Sequence, residues 1–387
     1  MRRPTPWVRE ECIQSDSLPA ECDVVIVGGG LSGLACGRFL AAGGADVVVL
    51  EAEKRLGQGA VGRGNGLVHL GLCEHPIQLA EAIGNRDAED VIRLSLRSIE
   101  LLESSCSFLT EGGIWCASMD REAEGIERST QWLLARNIAC DSLTDSEVRA
   151  RVGADFGVGR YHCQEGALDP VNLVIREARG AQSEGVRICT SHRVAAVEEH
   201  RDRYRVSGQD FSVDAEVVVY ASGAWVADIE PWFHQKVFPA RGQHLWEEKS
   251  SMGQISGRSQ HGYVAWGPSG AGHVVSGCRW GSPHMELGEF SHELNPRISK
   301  HLGQFGRRFS KDAGENSKEW TSIMGFSCDG LPILGPLPGQ PRKVACVGYN
   351  GQDLSFAMGC AEQVAKGLLH GGTGGISSRL QASRFVA

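Results

Sequence analysis

The sequence lacks the features that mark several classes of protein. No run of basic residues exceeds a few positions and the net charge is −8, so nucleic acid is not an expected partner. The thirteen cysteines include no C-x-x-C pair, which argues against a disulfide framework or a zinc site and predicts reduced thiols and no bound metal. No apolar stretch follows Met1-Arg2-Arg3. The sequence therefore predicts a cytoplasmic protein without a secretory signal.

One stretch, from Asp23 to Glu51, is apolar enough to suggest a membrane span. Arg38, Asp46 and many glycines within it argue against that reading, so no membrane span is predicted. The order of residues instead indicates a β-α-β unit with a strand at 24–27, a helix at 31–42 and a second strand at 45–50. Each strand is a β-branched, apolar run of the kind that a buried parallel sheet requires.

Three glycines follow the first strand in G-x-G-x-x-G spacing, and an acid ends the second strand. Gly28 permits a tight turn, Gly30 lets the backbone approach a pyrophosphate, and Gly33 lets helix and strand pack closely. The helix N-terminus offers unpaired N–H groups to the phosphates. Glu51 can accept both hydroxyls of an adenosine ribose. These features predict a dinucleotide site, and the alternative is a glycine-rich turn that binds nothing.

The rest of the chain predicts a second domain of a different kind. Its length of 387 residues suggests about two domains. Residues 76–110, 120–136 and 145–152 have helical patterns, whereas residues 238–280 alternate like antiparallel strands with Gly-Pro turns. An amphipathic helix is predicted at 293–310 and a last helix from Ser355 to about His370. No second G-x-G-x-x-G occurs in a β-α-β frame, so one dinucleotide is expected.

Four separated blocks resemble one family of enzymes. The blocks VVIVGGGLSGLACGRFL, VVVYASGAW, PARGQ and DGLPILGP…VGYNGQDLSFA occur in order and are similar to the D-amino-acid oxidase, glycine oxidase and sarcosine oxidase group of FAD enzymes. The resemblance implies FAD in an extended pose, with the flavin where two domains meet. The predicted fold class is α/β, with a Rossmann-like FAD-binding domain and an inserted antiparallel-sheet substrate domain.

The predicted domains are discontinuous in sequence. An N-terminal arm is assigned to residues 1–22. The FAD-binding domain is assigned to residues 23–75, 153–235 and 325–387, and the substrate domain to residues 76–152 and 236–324.

The resemblance also assigns cofactor contacts along the chain. The pyrophosphate and ribose would be held from the first β-α-β unit, adenine by the backbone of Val194, and the pyrimidine end of the flavin by backbone donors late in the chain. The full set is Gly28, Gly30, Leu31, Ser32, Gly33, Glu51, Ala52, Arg63, Gly64, Asn65, Gly66, Val194, Ser222, Gly223, Trp225, Asp329, Gly330, Gly348, Asn350, Gly351, Gln352, Asp353 and Leu354.

The sequence departs from the family pattern where substrate and flavin would be held. Met324 stands where amino-acid oxidases commonly have an arginine that clamps the substrate carboxylate, and Ser355 where sarcosine oxidases have a lysine. Asp353 stands where the family has glycine, and an aspartate there is expected to tolerate the positive φ that glycine supplies. Ser322 stands where sarcosine-type enzymes attach flavin through cysteine. Cys328 is offset from that position, so FAD is expected to be noncovalent.

Three residues are candidates for the substrate-facing, catalytic surface. Arg241, within PARGQ, is the first candidate cation, and a structural ion pair is the alternative. His244 is a polar candidate, for which a structural hydrogen bond is the alternative. Tyr263 could form an apolar or cation–π wall for an amine, although aromatic residues in such a sheet are more often core.

These observations predict an oxidoreductase that oxidises the C–N bond of an amine or modified amino acid. Hydride transfer to flavin N5 would give an imine that hydrolyses in water, with reoxidation by O2 or another acceptor. One alternative is a dehydrogenase of a 2-hydroxy acid or polyol phosphate. Another is a flavin-binding protein without turnover of its own.

Overall fold

The structure, a computed structural model, describes residues 3–7, 13–106, 108–109, 112–248, 252–270, 272–309 and 316–385. The chain folds as two compact units. The parallel-sheet unit contains the described residues of Arg9–Arg63, Val171–Ala240 and Ile323–Ala387. The mixed-sheet unit contains those of Met1–Val8, Gly64–Pro170 and Arg241–Ser322.

The elements follow one another along the chain as strands β1–β18 and helices α1–α9. The strands are β1 Glu21–Val27, β2 Val47–Leu50, β3 Leu67–Val68, β4 Gly113–Cys116, β5 Asp141–Leu143, β6 Gly159–His162, β7 Gly166–Ala167, β8 Arg187–Cys189, β9 Ala196–His200, β10 Arg203–Ser207, β11 Ser212–Tyr220, β12 Val237–Glu247, β13 Ser256–Ser259, β14 Val264–Ser269, β15 Gly272–Gly277, β16 Lys318–Ser327, β17 Ile333–Leu337 and β18 Gln340–Val347. The helices are α1 Leu31–Ala42, α2 Pro76–Ile83, α3 Asn85–Ser105, α4 Asp120–Leu134, α5 Asp145–Val152, α6 Pro170–Ser183, α7 Val226–Ile229, α8 Pro296–Gly306 and α9 Asp353–His370.

The parallel-sheet unit is built on the predicted β-α-β unit. Its sheet has the order β17-β18-β11-β1-β2-β8, and β1 pairs in parallel with both β2 and β11. The long strand β11 also pairs antiparallel with β10, which in turn pairs with β9. Valine, isoleucine and leucine fill β1 and β2 because both faces of the sheet are covered. The strand ends beside Gly28 and Ala221 therefore meet at one edge.

The mixed-sheet unit holds a sheet of order β16-β12-β15-β14-β13-β4-β6-β5. One face is apolar, where Ile114, Trp266 and Val275 pack with Phe305 of α8. The predicted antiparallel sheet is present, and it includes one parallel pairing, of β13 with β4. These strands lie far apart in sequence, so no local pattern could have indicated their relative direction.

Several element bounds differ from those predicted. The helical region 76–110 is two helices, α2 and α3, because Gly84 between them adopts a φ of 90°. Helix α8 begins at Pro296, where the Asn295 side chain accepts a hydrogen bond from the N–H of Arg297. Helix α9 begins at Asp353, two residues earlier than predicted. Position 310, which ended the predicted helix at 293–310, lies outside the described residues.

The N-terminal arm is held to the rest of the chain at two described places. Trp7 is buried, and its indole N–H donates to the carbonyl of Gly64 within the mixed-sheet unit. Asp16 accepts a hydrogen bond from the N–H of Ile188 within the parallel-sheet unit, at 2.8 Å. Trp7 thus belongs with the mixed-sheet unit and Asp16 with the parallel-sheet unit.

Candidate functional site

The glycine turn after β1 has a distinct requirement at each position. Gly28 adopts a φ of 117°, and a Cβ there would lie 2.6 Å from the carbonyl oxygen of Ala221. A Cβ on Gly33 would overlap the carbonyl oxygen of Gly28. Gly30 differs, because no described atom lies within 4 Å of where its Cβ would be. Gly28 and Gly33 are thus required by the fold itself, whereas Gly30 borders open space.

That open space lies at the start of α1. Gly30 caps this fully described helix without a side-chain oxygen, and the first turn contains no acidic residue. Leu31 and Ser32, the first two helical residues, are both buried. The arrangement leaves the N–H groups and the positive end of the helix dipole available to an anion.

The Glu51 carboxylate lies beside the glycine turn and accepts main-chain hydrogen bonds there. Its Oε2 accepts the N–H of Gly29 at 2.9 Å, and its Oε1 accepts the N–H of Glu53 at 2.8 Å. Burial raises the pKa of the Glu51 carboxyl, while the bonds from Glu53 and Gly29 oppose the rise. Each oxygen accepts one backbone hydrogen and keeps a lone pair for another donor. The carboxylate is therefore oriented in advance for hydroxyl groups.

The glycine-rich segment after Glu51 is divided between the two units. Arg63 is buried in the parallel-sheet unit, and its N–H donates to the carbonyl of Gly59. Gly64 and Asn65 belong to the mixed-sheet unit, where the Asn65 side chain accepts the N–H of Leu67 at 3.0 Å. Gly66 has a φ of 74°, and a Cβ there would overlap the carbonyl oxygen of Leu168.

A second close backbone approach follows β11 in the parallel-sheet unit. Ser222 precedes a 3₁₀ turn from Gly223 to Trp225, and Gly223 has a φ of 58°. A Cβ on Gly325 would lie 2.9 Å from the carbonyl carbon of Gly223. Val194 is buried just before β9. The strand β16 and this turn can approach each other because Gly325 has no side chain.

The Asp329-Gly330 turn is clamped by the C-terminal segment. The Arg384 guanidinium donates from Nε to Oδ2 of Asp329 at 2.7 Å and from Nη2 to Oδ1 at 2.9 Å. It also donates to the carbonyls of Leu331 and Pro332 at 2.9 Å. Gly330 then turns the chain with a φ of 77°. One arginine thus fixes the geometry of the whole turn.

The loop before α9 is fixed by Asn350. This residue has a φ of 56°, and its side chain accepts the N–H of Ser327 at 2.9 Å and donates to the carbonyl of Gly348 at 2.8 Å. Against the same loop, Met324 Sδ lies 2.9 Å from where a Cβ on Gly351 would be. Asparagine adopts the left-handed region more readily than most residues, so the strain at Asn350 is small.

Asp353 does not have the conformation expected of it. The positive φ values of this loop belong to Gly348, Asn350 and Gly351, whereas Asp353 is the first residue of α9. An acid in the first helical turn is favoured by the helix dipole, which accounts for aspartate at this place. Burial raises the pKa of its carboxyl to about 6, opposed by its own backbone N–H. Gln352 is the N-cap residue of the helix, and Leu354 is buried.

The three substrate-facing candidates lie in the mixed-sheet unit. The Arg241 guanidinium is buried and donates to both oxygens of Glu286, at 2.7 and 3.1 Å, and to Ser291 Oγ at 2.8 Å. The ring nitrogens of His244 lie 2.8 Å from Ser276 Oγ and from Ser322 Oγ. These contacts favour the ion-pair and structural alternatives for Arg241 and His244. Tyr263 is 51% exposed.

The comparisons with known proteins identify the family. Residues 23–366 match the model of the FAD dependent oxidoreductase family. The chain belongs to this family. Its members use FAD and are oxidoreductases, which establishes the cofactor and the general class of chemistry.

The individual relatives share less than a third of their aligned residues with the chain. The chain is 29% identical to the gamma-glutamylputrescine oxidoreductase of Escherichia coli (strain K12) over 59% of this chain and 56% of that protein. It is 27% identical to one of the subunits of the anaerobic glycerol-3-phosphate dehydrogenase of the same strain, over 58% of this chain and 42% of that protein. The chain thus spans about half the length of these curated relatives.

A solved structure has the same fold at low sequence identity. The crystal structure of glycine oxidase from Geobacillus kaustophilus aligns with a TM-score of 0.78 and 20% identity, covering 95% of this chain and 100% of that chain. The likeness confirms the predicted fold class.

The residues of the parallel-sheet unit fit the adenosine diphosphate part of FAD. Gly30 borders space that a side chain would fill, the start of α1 is uncapped, and Glu51 retains acceptor capacity. This combination meets the requirements of a pyrophosphate and a ribose. In the described part of the chain, no helix is both long and apolar enough to cross a bilayer.

Sequence reasoning missed one group of polar residues. Arg160 of β6 and Arg258 of β13 are fully buried on either side of Trp115 of β4. The available signal in the sequence was an arginine within each of two short strands, GRYH of β6 and SGRS of β13. The pattern could not reveal that strands so far apart in sequence would bring the two side chains to one ring.

Proposed function

We propose that the chain binds FAD through the parallel-sheet unit and oxidises the C–N bond of an amine or a modified amino acid. The observation that carries this proposal is the open, uncapped start of α1 beside Gly30, bordered by the pre-oriented carboxylate of Glu51. When bound, FAD supplies the two-electron acceptor for such an oxidation. The residues of the chain would bind and orient the reactants and exclude water.

The proposed cofactor contacts fall into those to the pyrophosphate, those to the ribose and those to the rest of FAD. The backbone of Gly30, Leu31, Ser32 and Gly33 would hold the pyrophosphate, and Glu51 the ribose. Further contacts are proposed for Gly28, Ala52, Arg63, Gly64, Asn65, Gly66, Val194, Ser222, Gly223, Trp225, Asp329, Gly330, Gly348, Asn350, Gly351, Gln352, Asp353 and Leu354. The clamps made by Arg384 and Asn350 support this assignment because they hold two of the turns rigid.

The loop before α9 is suited to stabilise a reduced flavin. Its conformation is fixed by Asn350, and the N-terminus of α9 contributes the positive end of a helix dipole. Preorganised N–H donors stabilise developing negative charge without reorganisation. Asp353 would oppose such a charge when ionised, but its raised pKa lets the carboxyl hold a proton up to about pH 6.

The proposed substrate lacks the α-carboxylate of a simple amino acid. Met324 replaces the expected arginine and packs with Phe326 around the position of Gly351. Arg241 is engaged with Glu286. The similarity to gamma-glutamylputrescine oxidoreductase, a protein named for a modified amine, supports an amine as the group that is oxidised. An electron acceptor, either O2 or another molecule, completes the proposed reaction.

A substrate panel tests this assignment. We expect kcat/KM for amines with neutral tails to exceed that for α-amino acids by about 100-fold, because a missing charge partner costs several kcal/mol. Met324→Arg is expected to reduce the preference for amines over α-amino acids in kcat/KM. Met324→Leu is the volume-matched control. Faster turnover of simple α-amino acids by the wild-type protein would contradict the assignment.

A second candidate function is oxidation of a 2-hydroxy acid or polyol phosphate. The similarity to a subunit of a glycerol-3-phosphate dehydrogenase supports this candidate, so hydroxy compounds belong in the substrate panel. Reduction of the bound flavin by hydroxy compounds and not by amines would establish that alternative. A flavin that no compound reduces would indicate the third possibility, a binding protein without turnover.

We propose that FAD is held without a covalent bond. Ser322 stands at the position of the family's attachment cysteine and is hydrogen bonded to His244 at 2.8 Å. Acid precipitation should therefore release all the yellow colour, and a coloured pellet would contradict the proposal.

Twelve cysteines lie in the described residues and none of them forms a disulfide, which supports a reducing, cytoplasmic location.

A further inference from the structure

Helices α1 and α9 pack side by side in the parallel-sheet unit and run in the same direction. At their C-terminal ends, a Cβ on Gly43, the C-cap residue of α1, would overlap a methyl group of Leu369 near the end of α9. At their N-terminal ends, the Ser32 side chain of α1 is hydrogen bonded to the side chain of Tyr349, just before α9 begins. The two helix starts therefore lie at the same edge of this unit.

Tyr349 is a buried residue whose hydroxyl group has partners on two segments of the chain. Only 4% of the residue is exposed. Its hydroxyl donates to the Cys346 carbonyl at 3.1 Å and lies 3.2 Å from Cys346 Sγ, near the end of β18. Ser32 provides the contact from the first turn of α1. The phenol oxygen therefore joins the end of β18 to the start of α1.

The protonation of these groups sets the direction of the hydrogen bonds. Burial raises the pKa of Tyr349 well above its ordinary value, and it raises the pKa of the Cys346 thiol to about 12, so both groups are neutral near pH 7. A neutral phenol has one proton to donate, and Cys346 receives it. Ser32 is then the donor to Tyr349, and its bond opposes the rise in the Tyr349 pKa as a donated bond does. The Ser32 hydroxyl is thus engaged with Tyr349, which leaves the main chain of the glycine turn to an anion.

The main chain around Tyr349 forms the loop before α9. The Tyr349 carbonyl accepts the N–H of Gln352, the N-cap residue of α9, at 2.9 Å. The N–H of the next residue, Asn350, donates to the Gly325 carbonyl at 3.2 Å. Because the side chain and the main chain of Tyr349 are both held, the position of its hydroxyl determines how the loop lies against α1.

We propose that Tyr349 is a positioning residue that couples the two ends of the FAD site, the start of α1 and the loop before α9. Its hydroxyl holds the segment proposed for the pyrophosphate at a fixed distance from the segment proposed for the reduced flavin. This inference rests on the proposed FAD site and assigns Tyr349 no contact with FAD itself. Holding both segments in place before binding favours FAD affinity, and it also favours the reduced state because the donors of the loop need no reorganisation.

Titration of the full-length apoprotein with FAD tests the coupling. Tyr349→Phe keeps the ring and removes the hydroxyl, so it should weaken FAD binding by about 10-fold, the size of one lost hydrogen bond. Ser32→Ala should weaken binding by a similar factor. The double variant should also stay near 10-fold, because each change removes the same bond. Tyr204→Phe, at a buried tyrosine of β10, is the matched control and should bind FAD like the wild type.

The double variant distinguishes coupling from separate roles. If the two losses multiply to about 100-fold, Ser32 and Tyr349 act independently and the inference is overturned. Wild-type affinity in Tyr349→Phe would overturn it as well. A wild-type protein that takes up no FAD would overturn the proposed function together with this inference, so the two failures are distinguishable.

The midpoint potential of the bound flavin is a second measurement, which remains available if Tyr349→Phe does not fold. Ser32→Ala lies in the segment proposed for the pyrophosphate, yet the coupling predicts that it loosens the loop before α9 and lowers the potential. A tenfold loss in the preference for reduced over oxidised FAD corresponds to about 30 mV for a two-electron couple. A hydroxyl with only a structural role would change Tm and leave the potential unmoved. An unchanged potential in Ser32→Ala would therefore overturn the inference.

Discussion

The two units assemble their polar groups in different ways. In the parallel-sheet unit, the groups open to an anion at the start of α1 come from the main chain of one short segment, with glycine at its close approaches. In the mixed-sheet unit, they come from side chains on strands that are distant in sequence, as in the row of Arg258, Trp115 and Arg160. The first kind of site depends on backbone geometry and the second on buried side-chain contacts, so the two should respond to different substitutions.

The largest expected effect separates ligand binding from folding within the glycine turn. Gly30→Val should weaken FAD binding by at least about 100-fold while the apoprotein remains folded, because φ at Gly30 is −79° and its Cβ would enter open space. Titration with FAD followed by absorbance and circular dichroism measures both properties. Gly303→Ala, also in open space but in α8, is the control and should bind normally.

Gly33→Ala provides the contrasting result. Its Cβ would overlap the carbonyl oxygen of Gly28, so this variant should lose the fold of the parallel-sheet unit and not merely FAD. If Gly30→Val unfolds as readily as Gly33→Ala, the open space beside Gly30 is not a ligand site.

The next effect removes one partner of a buried ion pair in the mixed-sheet unit. Arg258→Met removes a buried charge that faces Glu165 and two main-chain carbonyls. Removing one partner of a buried pair typically costs about 3–5 kcal/mol in the free energy of unfolding. Urea unfolding measures the loss, with exposed Arg97→Gln as control. A loss below about 1 kcal/mol would mean that the row contributes little to the fold.

A smaller effect is expected at the C-terminal clamp of the parallel-sheet unit. Arg384→Ala deletes the paired bonds to Asp329 and those to nearby carbonyls. Because Asp329 is partly exposed and can be rehydrated, the expected loss is about 1–3 kcal/mol. Arg384→Lys should recover only part of it, since lysine cannot bind both carboxylate oxygens in a planar fork. Full recovery by lysine would show that only the charge matters.

The smallest expected effect is a pH dependence of stability that arises from Asp353 at the start of α9. The pKa of Asp353 is raised by burial to about 6, so the folded state binds its proton more tightly than the unfolded state. Stability from this group is therefore present below about pH 4 and is lost as pH rises through about 6. Asp353→Asn should raise the Tm of the apoprotein at pH 8 and leave it nearly unchanged at pH 4. The same shift at both pH values would contradict the titration.

The contrast between the units also explains what the sequence could predict. The β1-α1-β2 unit, helix α5 and the order of the family motifs were predictable because periodicity and glycine spacing are local. The parallel pairing of β13 with β4, the partner of Arg241 and the meeting of Arg160 and Arg258 at Trp115 were not, because each depends on contacts between segments remote in sequence. Asp353 was misjudged because the positive φ values fall on Asn350 and Gly351 instead.

The visible absorption spectrum of the purified protein tests whether the chain binds FAD and oxidises an amine. We expect a two-banded flavin spectrum that an amine with a neutral tail bleaches under anaerobic conditions, while simple α-amino acids do not. A protein that is colourless and takes up no FAD on reconstitution would contradict the cofactor assignment. A yellow protein that only hydroxy compounds bleach would contradict the proposed reaction.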